Sequence, residues 1–171
     1  PYTTLFRSPE QALGFYDEGF TIEHARRYHA ATASVGMGAA RKFLSEVDLS
    51  GRRKLLDLGG GSGAYSIQAA KKFPDLEAIV LDLAEVVVVS REFIAEHGVA
   101  DRVSAEKCDF TSDPFPEGAD VILMNSNLPQ YSGDVIQQVV QKAFDALAPG
   151  GEMHICGEMV NEDWRGPLIP A

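Results

Sequence analysis

The segment Asp57-Leu58-Gly59-Gly60-Gly61-Ser62-Gly63 limits what this chain can fold into more than any other part of it. It closes an apolar run that begins at Lys54 and opens directly into an amphipathic stretch that begins at Ala64. A strand that ends in glycines and turns at once into a helix marks a βαβ unit. Its turn has to be tight, and its backbone admits a ligand without obstruction from Cβ atoms. The free N–H groups at the start of the helix then suit an anionic group.

From Lys54 onward, short apolar runs alternate with longer amphipathic ones, the pattern of successive βαβ units around a parallel sheet. Strands are expected over residues 54–58, 77–83, 102–107, 119–125 and 152–157, and helices over 64–73, 84–97 and 134–147. The run Val86-Val87-Val88-Val89 is β-branched. It continues into Arg-Glu-Phe-Ile-Ala-Glu-His with helical apolar spacing, so it reads as helix, ended by Gly98. Pro114, Pro116 and Gly118 break the chain before the fourth strand, and Pro149-Gly150-Gly151 before the fifth. Upstream, residues 10–46 carry apolar positions at helical spacing and accommodate two or three helices. The expected fold is α/β, a Rossmann-like three-layer sandwich with a mostly parallel sheet, preceded by N-terminal helices.

With 171 residues and 45% hydrophobic content, one globular core is expected. A net charge of −10 without clustered Lys and Arg excludes a nucleic-acid or anionic-membrane partner, because neutralising phosphates draws on such clusters. The apolar stretches fall well short of the ~20 residues that cross a bilayer, and a cytoplasmic protein is expected. Cys108 and Cys156 lie in strand-like runs without metal-ligand spacing and read as buried thiols. The opening Pro-Tyr-Thr-Thr-Leu-Phe-Arg-Ser resembles the translation of a sequencing-adapter oligonucleotide. Residues 1–8 are therefore set apart from 9–48, a helical segment expected to cover the pocket, and from 49–171, the cofactor-binding core.

The glycine turn alone suits several cofactors. Gly59, Gly61 and Ala64 satisfy the relaxed dinucleotide pattern G-x-G-x-x-A, which makes a NAD-dependent Rossmann enzyme a rival. A P-loop is excluded, since no Gly-Lys-Ser/Thr follows at the required position. Asp82, with Leu83 beside it, ends the second strand about 20 residues further on, where a carboxylate accepts ribose hydroxyls in either kind of fold. Singly, Asp57 also reads as a turn cap and Asp109 as an Asx-turn residue.

Together, Asp57 before the glycines, Cys108-Asp109-Phe110 closing the third strand and Ala-Pro-Gly-Gly before the fifth resemble class I S-adenosylmethionine-dependent methyltransferases. The resemblance implies S-adenosylmethionine as cofactor. It also implies that Asp109 accepts the adenine amino group and that Phe110 packs on the ring. Asp57, Gly59, Gly60, Gly61, Gly63, Asp82 and Leu83 would complete the site, with Asn125 at its floor. An adenosine cofactor without phosphate needs no basic partner, and none sits beside this loop.

Residues 49–168 further resemble the small-molecule O-methyltransferases that include plant caffeate and bacterial polyketide enzymes. The likeness rests on Leu-Leu-Asp-Leu-Gly-Gly-Gly-Ser-Gly, Val-Leu-Asp-Leu, Ala-Asp-Arg-Val, Asp-Pro-Phe-Pro-Glu-Gly-Ala-Asp-Val-Ile-Leu, Ala-Leu-Ala-Pro-Gly-Gly and Gly-Pro-Leu. It implies a small-molecule substrate, a homodimeric full-length protein with an N-terminal dimerisation domain, and further C-terminal strands beyond this chain, which is expected to be a fragment.

One departure bears on mechanism. In that family a His after the fourth strand, in a pattern resembling Leu-His-Asp-Trp-Ser, removes the acceptor's proton. Here the sequence is Leu128-Pro129-Gln130-Tyr131-Ser132, and proline has no titratable group. Glu158, which matches a family acid flanking that His, and His29, in a helix that crosses over the family's cofactor, are the remaining catalytic candidates. Tyr28, Gln130 and Tyr131 are the substrate-binding candidates, whereas His97 and His154 read as structural. Methyl transfer needs a base only when the acceptor must lose a proton, so the missing His points to a thioether, a tertiary amine or an already ionised acid. One alternative is S-methylation of 4-methylthio-2-hydroxybutyrate toward dimethylsulfoniopropionate. A cofactor-binding protein without catalysis and the NAD-dependent enzyme are the others.

Overall fold

A computed structural model describes residues 19–157. Five parallel strands, β1 (Lys54–Leu58), β2 (Glu77–Asp82), β3 (Val103–Lys107), β4 (Ala119–Asn125) and β5 (Leu147–Cys156), form one sheet in the order β3-β2-β1-β4-β5. Strands covered on both faces read as near-continuous apolar runs, as they do here. Leu55, Leu56 and Leu58 of β1 and Ile122, Leu123 and Met124 of β4 are all buried. Alternation along the strands sends Leu55, Val80, Val121 and Leu123 into a core with α1 (Ile22–Glu46), α2 (Ala64–Lys72) and α3 (Ala84–Glu96). Leu56, Leu58, Ile122 and Met124 face the opposite way, against Val139 and Ala143 of α4 (Gly133–Ala146). Helices on both faces of a parallel sheet make the three-layer α/β sandwich that the alternating pattern predicts.

Of the segment 10–46, the described part forms one helix of 25 residues, 22–46. No proline interrupts it, and Thr21 caps its start by accepting a hydrogen bond from the His24 N–H at 3.3 Å. β5 begins at Leu147, ahead of the expected start at residue 152. Ala119 pairs with Leu147, then the register jumps to Val121 with Glu152, so Pro149-Gly150-Gly151 lies in a bulge inside the strand. Residues in a bulge leave the ladder, which is why a proline fits there. Arg52 fixes the bulge by donating to the Gly150 carbonyl at 2.9 Å.

Cys108 is buried, Cys156 half-buried, and both are free thiols. No helix among the described residues is long and apolar enough to cross a membrane.

Candidate functional site

Because all five strands are parallel, their C-terminal ends lie along one edge. The sheet grows outward from β1 in both directions, which opens a crevice at the β1–β4 boundary. The glycine loop leaves β1 at that point. Gly59 has φ +63°, and a Cβ there would stand 2.6 Å from Asn127 Nδ2 and 3.1 Å from Phe110 Cε1. At Gly60 a Cβ would meet the Asp57 carboxylate at 2.6 to 2.9 Å, and at Gly61 it would meet His29 Cε1 at 2.7 Å. The loop is thus closed in by Asn127 after β4, by Phe110 after β3, by its own strand and by α1, so a Cβ at any of these three positions would force a neighbour to move. Gly63 forms the cap from which α2 starts.

Three carboxylates surround the loop, two with a raised pKa and one with a lowered one. Asp57 is 1% exposed; its Oδ2 accepts from Ser66 Oγ at 2.8 Å, while Oδ1 has no partner among the described residues. Burial pushes its pKa up to about 6, against the pull of the Ser66 hydrogen bonds and with a smaller push from Asp82. Asp82 accepts from the Gly61 N–H at 2.9 Å and the Leu83 N–H at 2.8 Å, yet burial outweighs both bonds and raises it to about 6. Asp109 forms an Asx turn, its Oδ1 accepting from Thr111 N at 2.9 Å and Thr111 Oγ1 at 2.6 Å. Burial acts to raise its pKa, but these bonds prevail and hold it below the ordinary carboxylate value.

A cavity of about 260 Å³ opens beside the loop. Gly59, Asp82 and Leu83 form one wall, Cys108, Asp109, Phe110 and Thr111 a second, and Asn127, Gln130 and Tyr131 a third. The Phe110 and Tyr131 rings meet edge to face with centroids 5.4 Å apart. Burial raises the Tyr131 phenol and pushes the Cys108 thiol up to about 11, so both are protonated at neutral pH. No Lys or Arg is among the lining residues. A pyrophosphate would therefore face Asp82 and Asp109 without a cationic partner. The walls offer spare carboxylate lone pairs at Asp82 and aromatic rings at Phe110 and Tyr131, a lining that suits a cationic rather than an anionic ligand.

Of the residues singled out from sequence, Gly59, Asp82, Leu83, Asp109, Phe110, Gln130 and Tyr131 share this cavity. Asp57, Gly60, Gly61 and Gly63 shape the loop behind it. Asn125 is not among the residues that line this cavity; it lies near Tyr65, on the face of the sheet that α2 covers, and Asn127 stands at the cavity. His29 packs on Gly61, with the Tyr28 ring edge-on at 5.1 Å, and neither residue lines the cavity. Burial lowers the His29 pKa, which keeps the imidazole neutral. Glu158 lies outside the described residues. Asn127, Thr111 and the cavity role of Cys108 were not legible from sequence. Only position beside Asp109 or after β4 hinted at them.

Comparison with known proteins gives a consistent picture. The family model for the O-methyltransferase domain matches residues 13–169. The 3-hydroxy-5-methyl-1-naphthoate 3-O-methyltransferase of Streptomyces sahachiroi is 35% identical over 132 residues, 77% of this chain and 38% of the relative. The L-tyrosine C(3)-methyltransferase of Streptomyces lavendulae is 35% identical over 133 residues, 77% of this chain and 36% of the relative. The chain thus spans less than two-fifths of the length of these curated relatives. An O-methyltransferase family 2 protein from Planctomyces limnophilus, solved in complex with apigenin, superposes with a TM-score of 0.79 at 31% identity, covering 90% of this chain and 48% of that one.

Proposed function

This chain belongs to the O-methyltransferase domain family, and from that premise we propose that it binds S-adenosylmethionine and serves methyl transfer to a small molecule whose accepting atom needs no deprotonation by a His after β4. The observation that carries the cofactor half is the glycine loop packed against Asp57, opening onto a cavity whose charged walls are carboxylates. When bound, S-adenosylmethionine supplies an electrophilic methyl group on a sulfonium.

The chain's own residues hold that molecule in place. Asp82 accepts ribose hydroxyls with the lone pairs that Gly61 and Leu83 leave free. Phe110 and Tyr131 pack on the base, and Asp109 turns its outer oxygen to the amino group. Asp57 Oδ1, buried without a donor, suits an ammonium or another donor reaching down past the loop. Holding donor and acceptor in line at contact distance is the largest contribution a protein makes to such a displacement.

Pro129 carries the acceptor half. It lies in the short 3-10 helix Leu128–Gln130 after β4, next to Gln130 and Tyr131 of the cavity wall. The two relatives named above are an O-methyltransferase and a C-methyltransferase, so membership of the family leaves the accepting atom open. A thioether acceptor becomes a sulfonium, which needs negative or π-rich surroundings from residues other than those that hold the adenosine.

Calorimetry with S-adenosylmethionine, S-adenosylhomocysteine and NADH tests the cofactor half. Micromolar binding of the first two and none of NADH is expected, and the opposite pattern defeats it. Labelled methyl transfer to thioether, tertiary amine and phenol acceptors tests the rest. Label in the thioether or amine supports it. Methylation of phenols alone, with a rate that rises through a pKa near 7, would overturn it.

A further inference from the structure

Ser126 is the one non-glycine residue with positive φ, +56°, among those described. That conformation costs a residue with a Cβ about 1 kcal/mol or more, and such strain persists only where surrounding contacts enforce it. Here the Ser126 N–H donates to the Cys156 carbonyl at 2.8 Å, which ties the exit of β4 to the end of β5. The bend turns the next residue, Asn127, back across the top of β1. Its Nδ2 donates to the carbonyl of Leu58, the last residue of β1, and packs against Gly59.

That bond also fixes which way the amide faces. Turning it over would set Oδ1 against the Leu58 carbonyl oxygen, two acceptors in contact. Oδ1 therefore points away from Leu58, and it is buried without a hydrogen-bond partner among the described residues. The two carboxylates of the cavity wall, by contrast, already have partners, Asp82 two backbone N–H groups and Asp109 Thr111. A buried acceptor left without a donor costs about 1–3 kcal/mol, and this one is held beside a strained residue in the wall of the binding cavity.

We infer that Asn127 is a cofactor-binding residue: Oδ1 accepts a hydrogen bond from an O–H or N–H of the adenosine part of the methyl donor, while Nδ2 holds the end of β1 and the glycine turn in register with it. The inference rests on the proposed cofactor and adds a contact that the motif pattern does not assign. It also gives the bend at Ser126 a purpose, since an extended residue there would carry the amide away from Leu58.

A cycle between protein and ligand tests it. Binding of S-adenosylhomocysteine is measured for the wild-type protein and for Asn127→Leu. It is then repeated with analogues that lack the 2′-hydroxyl, the 3′-hydroxyl or the adenine amino group. Asn127→Leu is expected to weaken S-adenosylhomocysteine about 5- to 100-fold. One analogue should lose a similar factor against wild type and almost nothing further against the variant. If every analogue loses the same factor against both proteins, Asn127 reads no donor and the inference fails. Asn127→Ala, which removes both bonds without adding bulk, enters the same cycle should the Leu variant not fold. A wild-type protein that binds NADH and not S-adenosylhomocysteine defeats the cofactor reading itself, an outcome distinct from an absent coupling.

Discussion

Asp57 shows how a single residue can serve a site at a cost to the fold. Its carboxyl has an ordinary value of 3.8 and is pushed up to about 6 when folded. The folded state therefore holds a proton that the unfolded chain has already released across that window. This contribution is fully present below about pH 4 and disappears as pH rises through about 6. Asp57→Asn keeps an acceptor for Ser66 Oγ and removes the ionisation. The ligand-free variant is expected to match wild type near pH 4 and to exceed it above pH 6, by an amount on the order of 2 kcal/mol. Urea denaturation at several pH values checks this, and a constant offset between the two proteins would show that Asp57 does not titrate there. The same substitution should weaken S-adenosylhomocysteine, because the carboxylate that destabilises the empty fold is the one that meets the ligand's cationic end.

At the scale of elements, α1 decides how the loop is covered. Its glycines are not equivalent. Gly38 has open space where a Cβ would go, whereas at Gly36 a Cβ would stand 3.1 Å from the Cβ of Ala64 in the first turn of α2. Glycine inside a helix costs about 0.5–1 kcal/mol relative to alanine. Gly38→Ala is thus expected to stabilise the protein by about that amount. Gly36→Ala should gain little or lose, since α1 must lift from α2 and carry His29 off Gly61. Thermal denaturation of the pair checks this, and equal gains at both positions would mean that the contact with α2 is loose. The close approach at Gly36 could not be read from the sequence, where the two glycines look alike. The four-valine run in α3 is the converse case. Its propensity favours a strand, but the apolar spacing through Phe93 and Ile94 decided it, because burial of one face outweighs intrinsic preference.

For the whole molecule, what was legible follows the reach of the interactions involved. Strand and helix positions depend on periodicity within a few residues, and the loop, Asp82 and Asp109 follow from strand ends. Asn127 depends on a bend at Ser126 that β5 enforces from 30 residues away, Ser126 to Cys156, and no local pattern marks it. The bulge in β5 likewise exists only through its pairing with β4.

The cavity gathers its walls from the ends of β1, β2 and β3 and from the exit of β4, segments that are otherwise joined through the sheet. A ligand seated there bridges both sides of the β1–β4 crevice, so its binding energy adds to global stability rather than to one loop. S-adenosylhomocysteine at 100 times its Kd should contribute about 2.7 kcal/mol. For a chain of this size that is a rise in Tm of roughly 5–10 °C. Hydrogen exchange should slow at residues 59–63, at Leu83 and at 127–131, which meet the ligand, and also at those β5 amides that exchange only through global unfolding. NADH at the same concentration should leave both measurements unmoved. Protection confined to residues 59–63 would place the ligand on the loop alone. The carboxylates of β2 and β3 and the amide of Asn127 would then have to be explained without it.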